Sequence, residues 1–194
     1  MGLHHIELIV IGGSAGSIRA VRTIFQHLEA MPVPILMVLH RPAQDPQSNL
    51  QSVLQSACRM PIVEPKAGTR PLPQHIYLAP PNRHLVVEPN KTLALSDSPL
   101  VHYSRPSIDV LFFSAADVYR QNTLGILLTG ANQDGAMGMK LLKDAGGITA
   151  VQDPADCMID TMPRAAMQLA TIDQVLTARQ IAEWLNENFV GIPE

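Results

Sequence analysis

Cysteine is nearly absent, with Cys58 and Cys157 the only two in 194 residues. Two thiols so far apart make no disulfide framework and lack metal-site spacing; reduced thiols in a cytoplasmic protein are expected. Charge is sparse as well: Asp, Glu, Lys and Arg make up 16% of the chain, the net charge is −3, and no basic run occurs. A nucleic-acid surface is therefore not expected. The apolar runs stop far short of a membrane span and no signal peptide precedes the first of them, so neither membrane insertion nor export is expected. The histidines, at 4, 5, 27, 40, 75, 84 and 102, contain no H-x-x-x-H pair, which disfavours a zinc hydrolase. No metal or other cofactor is expected. Repeats and low-complexity tails are missing too.

What remains is apolar and ordered. A hydrophobic content of 46% is ample for a sizeable core, and the length suits one domain over residues 1–194. The organising stretch is Ile6 to Ile18, IELIVIGGSAGSI. A β-branched run, interrupted only by Glu7, leads into Gly12-Gly13-Ser14-Ala15-Gly16-Ser17, and an amphipathic run begins at once. A buried parallel strand that turns through small residues into a helix is a common way to build a site. Glycines let the backbone turn sharply and a ligand approach closely.

Along the chain, Ser17 to Glu29 has helical period, with Ser14 or Ser17 as its cap. Ile35 to Leu39 reads as a second buried strand stopped by His40-Arg41-Pro42, Asn49 to Cys58 as a helix, and Pro61 to Glu64 as a short strand. From Gly68 to Pro99 prolines are frequent and helical period is lost. His75–Ala79, His84–Glu88 and Thr92–Leu95 read as short strands, the last two forming an antiparallel hairpin at a sheet edge around Pro89-Asn90-Lys91. A helix over Ser107–Tyr119, a strand over Leu124–Leu128 and a helix over Ala136–Ala145 follow. A strand at Ile148–Val151 and helices at Pro163–Leu169 and Thr177–Asn188 complete the chain, with Trp184 as core on the last. The alternation predicts an α/β fold, a doubly wound, mostly parallel sheet with helices on both faces.

In such a sheet ligands bind beyond the carboxyl ends of the strands. Three of those ends carry reactive groups: Ser14 after the first strand, His40 after the second, and Asp134 after the strand that ends in Thr129-Gly130. With the first strand central, a nucleophile, its base and an orienting carboxylate gather at one edge. Each residue has a plainer reading beside this one. Ser14 and Asp134 each precede a helix and can be N-caps, and His40 can be a polar stop to a strand. His84 and His102 read as surface or loop residues.

These segments resemble the catalytic domain of the CheB-type protein-glutamate methylesterases. Ile11-Gly12-Gly13-Ser14-Ala15-Gly16-Ser17 is similar to the nucleophile loop, Val38-Leu39-His40-Arg41-Pro42 to the histidine segment, and Leu128 to Ala136 to the aspartate segment. Ile76 to Leu85, Arg105 to Phe112 and Met162 to Ala166 resemble three further segments, in order over nearly the whole chain. The resemblance implies Ser14 as nucleophile, His40 as general base and Asp134 as its orienting carboxylate. Ala15, Gly16 and Ala131 fall on the oxyanion and substrate side. It further implies hydrolysis of glutamate methyl esters on the cytoplasmic helices of methyl-accepting chemoreceptors with release of methanol, and deamidation of receptor glutamines in some members.

The departures are Ala15 and Ser17 in the serine loop, and Ala131 and Asn132 after Thr129-Gly130. Family members of full length carry a receiver domain that covers the site, and none precedes Met1. The expectation is a standalone esterase or a piece of a larger signalling protein, with a separate receiver domain as a candidate partner. Two rival readings stay open. One is a module that binds a receptor or receiver without catalysis. The other is a nucleotide-binding α/β domain, although Gly12 to Ser17 fails G-x-G-x-x-G at its third and sixth places and no P-loop motif occurs.

Overall fold

A computed structural model describes residues 3–40 and 50–189. Arg41, Pro42 and Asn49, which the sequence reading assigns to a strand stop and a helix start, lie outside the described residues. The strands are β1 (Leu8–Gly13), β2 (Ile35–Leu39), β3 (Ile62–Val63), β4 (Ile76–Leu78), β5 (His84–Val87), β6 (Leu93–Ser96), β7 (Thr123–Leu127), β8 (Ile148–Gln152) and β9 (Gln174–Leu176). The helices are α1 (Ser17–His27), α2 (Leu50–Gln55), α3 (Ile108–Tyr119), α4 (Ala136–Asp144), α5 (Thr161–Leu169) and α6 (Ala178–Phe189).

Seven strands form one parallel sheet in the order β3-β4-β2-β1-β7-β8-β9. β1 is central. The chain leaves it toward β2, works outward to β3 and β4, then returns to β7 on its other side, so strand order reverses beside β1. That reversal opens the crevice in which such sheets bind ligands.

Every residue of β1, β2 and β7 is buried, which explains their near-continuous apolar sequences. The pleat sends alternate residues to opposite faces. Ile9 and Ile11 join a core with Val21, Ile24 and Phe25 of α1 and Ile181 and Leu185 of α6. Leu8 and Val10 join the other core, with Ile108, Leu111 and Phe112 of α3 and Met139 of α4. Helices thus cover both faces. Each fully buried Leu, Ile or Phe side chain contributes roughly 1.5–3 kcal/mol relative to exposure.

The expected hairpin forms from β5 and β6, paired as His84↔Ser96 to Val87↔Leu93. It stands as a separate two-stranded sheet, and its buried Leu85, Val87 and Leu93 pack with α3 in the second core. β4 enters the main sheet instead, parallel to both β2 and β3. β9 is a strand the sequence does not announce. Its three residues Gln174, Val175 and Leu176 lie on the sheet edge without full burial, so no alternation marks them.

Two expectations about single residues are corrected. Neither Ser14 nor Ser17 caps α1; the N-cap is Gly16, at φ 83°, and Ser17 Oγ donates to Ser14 O at 2.6 Å instead. The left-handed turn suits glycine, and a Cβ there would lie 2.6 Å from that of Met158. His84 is fully buried rather than a surface residue. Its Nδ1 accepts from Ser107 N at 3.1 Å and its Nε2 lies 3.1 Å from Pro99 O, so the ring satisfies two backbone groups of the segment leading into α3.

Candidate active site

Ser14, His40 and Asp134 follow three adjacent strands, β1, β2 and β7. The ladder continues past the strand ends and fixes their backbones. His40 N donates to Gly13 O at 3.0 Å, Ser14 N to Thr129 O at 3.0 Å, and Leu128 N to Gly12 O at 2.9 Å. Gly12 is required here by close approach: a Cβ would fall 2.3 Å from Cγ2 of Ile108, the first residue of α3. The absence of a side chain on β1 lets the start of α3 come down onto the site.

Asp134 is fully buried, and its carboxylate has four donors. Oδ2 accepts from His40 Nε2 at 2.8 Å and from Ile108 N at 2.8 Å. Oδ1 accepts from Ser107 Oγ at 2.9 Å and Asp109 N at 3.0 Å. Asp134 does satisfy a helix N-terminus, but that of α3 rather than α4, the helix it precedes. Burial pushes its carboxyl up, yet the bonds from His40 and from the N–H groups of Asp109 and Ile108 outweigh that and hold it below the ordinary carboxylate range. Asp134 is therefore a carboxylate at neutral pH.

A carboxylate on Nε2 fixes the His40 tautomer: Nε2 carries the proton, and Nδ1 is left with its lone pair. The hydroxyl within reach of that nitrogen is Ser104 Oγ, at 3.5 Å. Among the described residues no hydrogen bond joins Ser14 Oγ to His40. Catalytic hydrogen bonds are often long in a free enzyme and tighten only with substrate.

Around Ser14 the backbone offers donors. Among the described residues, the N–H groups of Ala15, Gly16 and Ala131 have no acceptor, whereas Ser17 N is taken by Ser14 O. Thr129, almost fully buried, ties this turn to the loop before α5: Oγ1 lies 3.0 Å from Ala15 O and 2.9 Å from Ile159 O, and accepts from Ile159 N. A cavity of about 450 Å³ opens beside Gly16 and Thr129, and Cys157 and Met158 line it. Cys157 is no rival nucleophile. Burial, then Asp156 and Asp160, push its thiol up to about 11, where thiolate is scarce at neutral pH.

Sequence reasoning missed three residues that build the site. Ser107 is the N-cap of α3 and binds Asp134. Asp109 is buried one residue into that helix, and its Oδ1 accepts from Gly135 N at 3.0 Å and Gly138 N at 2.7 Å, the start of α4. Two carboxylates thus exchange helix ends, Asp134 holding α3 and Asp109 holding α4. A serine opening a helix with an acid two residues on was the available signal. Ser104 had none, because its role depends on a turn with no sequence hallmark.

His102, read as a surface or loop residue, is exposed, and its Nε2 lies 3.2 Å from Asp109 Oδ2. Ligand atoms of His102, Asp109 and Asp134 lie within 4.8 Å of one another. The donors already on Asp134 and on Asp109 Oδ1 make this a pair of histidine–aspartate contacts rather than an open chelate.

The CheB methylesterase family model matches residues 9–185. A relative from Leptospira interrogans, whose name assigns methylesterase and glutaminase activity provisionally, is 42% identical over 178 residues, covering 91% of this chain and 92% of that one. The protein-glutamate methylesterase/protein-glutamine glutaminase of Methylobacillus flagellatus is 38% identical over 87% of this chain but only 48% of its own length. This chain thus spans nearly all of the first relative and about half of the second. The crystal structure of the Thermotoga maritima CheB methylesterase catalytic domain superposes with a TM-score of 0.88 at 31% identity, covering 94% of this chain and 98% of that one. Sequence and fold agree over almost the whole length: the chain belongs to the CheB methylesterase family.

Proposed function

We propose that this chain is a serine hydrolase that demethylates glutamate methyl esters on the cytoplasmic helices of chemoreceptors and deamidates receptor glutamines. Ser14 is its nucleophile, His40 its base and Asp134 the carboxylate that orients the base. One observation carries the reading. The 2.8 Å bond from His40 Nε2 to a buried, ionised Asp134 leaves Nδ1 as a proton acceptor at the strand ends beside Ser14.

In the first step Ser14 Oγ attacks the ester carbonyl and passes its proton to Nδ1 of His40. Asp134 stabilises the imidazolium. The oxyanion is held by the N–H groups at Ala15, Gly16 and Ala131, which carry fixed dipoles and need no reorganisation. The imidazolium then protonates the departing methoxide, and methanol leaves with an acyl-enzyme behind. Water attacks that ester by the same route, returning Ser14 and a glutamate carboxylate. With a glutamine substrate the leaving group is ammonia. The substitutions at Ala15, Ser17, Ala131 and Asn132 alter the wall of the site and not these three groups.

The partners in this reading are methyl-accepting chemoreceptors and a separate receiver domain, the compartment is the cytoplasm, and residues 1–194 act as one domain. A second reading, binding without turnover, is favoured by the contact of Ser104, rather than Ser14, at Nδ1 among the described residues.

The test is methanol release from methylated receptor cytoplasmic fragments by the parent and by Ser14→Ala. Release that vanishes in a folded variant supports the hydrolase and its nucleophile together. Equal release from both overturns the role of Ser14, and no release from the parent favours binding alone.

A further inference from the structure

Residues Val101 to Ser104 form a tight turn over His40. Val101 N donates to Ser104 O at 3.1 Å and Ser104 N to Val101 O at 2.8 Å. The two central residues, His102 and Tyr103, have φ of 47° and 59°. Two positive values in succession describe a turn that ordinarily takes Asn-Gly or Gly-Gly. Histidine and tyrosine have no intrinsic preference for it, so the conformation must be held from outside. Tyr103 does not hold it, being 98% exposed. His102 does, because its Nε2 reaches down to Oδ2 of Asp109 at 3.2 Å.

Asp109 is a fixed post. It is buried on α3, its other oxygen is bound to two N–H groups of α4, and its own N–H is bound to Asp134. At the other end of the turn, Ser104 Oγ stands 3.5 Å from His40 Nδ1 and 3.4 Å from His102 O. The strained turn therefore connects a buried carboxyl group on one side with the His40 ring nitrogen on the other.

We propose that His102 and Asp109 are positioning residues, a second histidine–aspartate pair that sets the turn so that Ser104 restrains the His40 ring at Nδ1. Asp134 fixes one edge of the imidazole through Nε2, and Ser104 fixes the opposite edge. The Ser104 contact is long enough to yield to the nucleophile when substrate arrives, so the ring is held without being consumed. The kinetic consequence rests on the hydrolase reading above; the restraint on the ring does not.

Two readouts test it in the full chain. The first is the nitrogen-15 resonance of His40 Nδ1 in histidine-labelled protein, which needs no turnover. Ser104→Ala and His102→Ala are expected to shift it in the same direction, and the double variant no further than either single one, because both act through one contact. The second is ester hydrolysis, where each variant lowers kcat roughly three- to tenfold, the worth of one neutral hydrogen bond, with KM unchanged.

Asp109→Asn keeps an oxygen for Gly135 and Gly138 while removing the Oδ2 acceptor under His102. It is expected to reproduce the His102→Ala resonance with the fold retained. A His40 resonance that moves in Ser104→Ala but stays in place in His102→Ala and Asp109→Asn overturns the proposal. So does a double variant whose loss in kcat is the product of the single losses. If the parent hydrolyses no receptor ester, the hydrolase reading fails, and the resonance alone decides the positioning role.

Discussion

An amide in place of the Asp134 carboxylate would preserve its shape and reverse the logic of His40. With the amide nitrogen facing Nε2 as a donor, the imidazole would have to present its lone pair there and carry its proton on Nδ1. A protonated Nδ1 cannot accept from a serine hydroxyl. Asp134→Asn is therefore expected to lower kcat by about 10³-fold or more, in line with other hydrolytic triads, with KM little altered. Steady-state kinetics at neutral pH on a methylated receptor fragment measures this. A rate within a few-fold of the parent would leave Asp134 as a holder of α3 alone, the structural role its bonds to Ile108 N and Asp109 N already give it. That structural role explains why capping and catalysis were both open from the sequence: the carboxylate proposed to orient His40 also holds the start of α3.

Among the elements, the junction of β1 with α3 controls how closely the site is assembled. Ile108 Cγ2 occupies the space a side chain at Gly12 would need. Gly12→Ala forces α3 outward, and overpacking of this kind typically costs about 1–3 kcal/mol. Ile108→Ala alone leaves a cavity and costs roughly 2–5 kcal/mol. In the double variant the new methyl enters the vacated space, so the combined loss in urea denaturation is expected to fall short of the sum. Strict additivity would show that the two residues do not compete for one volume.

The same junction marks how far the sequence could be read. β1, β2 and β7 were legible because both faces of each are buried and the apolar run is unbroken. Once Ser14, His40 and Asp134 were placed at strand ends, the expected centrality of β1 was enough to set those three ends side by side. β9 and the separation of β5–β6 from the main sheet were not legible, since edge pairing follows from tertiary packing rather than from alternation. Nor was the buried His84, whose two partners are backbone groups 15 and 23 residues away.

For the molecule as a whole, the two buried aspartates push acid stability in opposite directions. The Asp134 carboxyl is held below its ordinary value of 3.8. Its contribution is fully present above the unfolded-state value and is lost as pH falls through the lower folded-state value. The Asp109 carboxyl is raised, by burial first and then by neighbouring Asp134, against the N–H groups of Gly138 and Gly135 and the His102 ring. Its contribution is present below the unfolded-state value and is lost as pH rises through the folded-state value. Denaturation of the parent and of Asp134→Asn from pH 7 down to pH 3 should give a shallower acid decline in the variant. Parallel curves would mean that Asp134 has the same proton affinity folded and unfolded.

The exchanged helix ends also bear on how other sequences of this kind are interpreted. Asp134 and Asp109 fasten α3 to α4, so a copy that had lost its chemistry would still gain stability from both. Their retention is a mark of architecture. The Ser14 hydroxyl has no hydrogen-bond partner among the described residues, and the turn around it is held by backbone bonds and by the Ser17 and Thr129 hydroxyls rather than by its own side chain. On the hydrolase reading proposed above, a chain that no longer needed a nucleophile could replace it at little expense to stability, so the serine, rather than either aspartate, would be the position that separates working enzymes from silent ones.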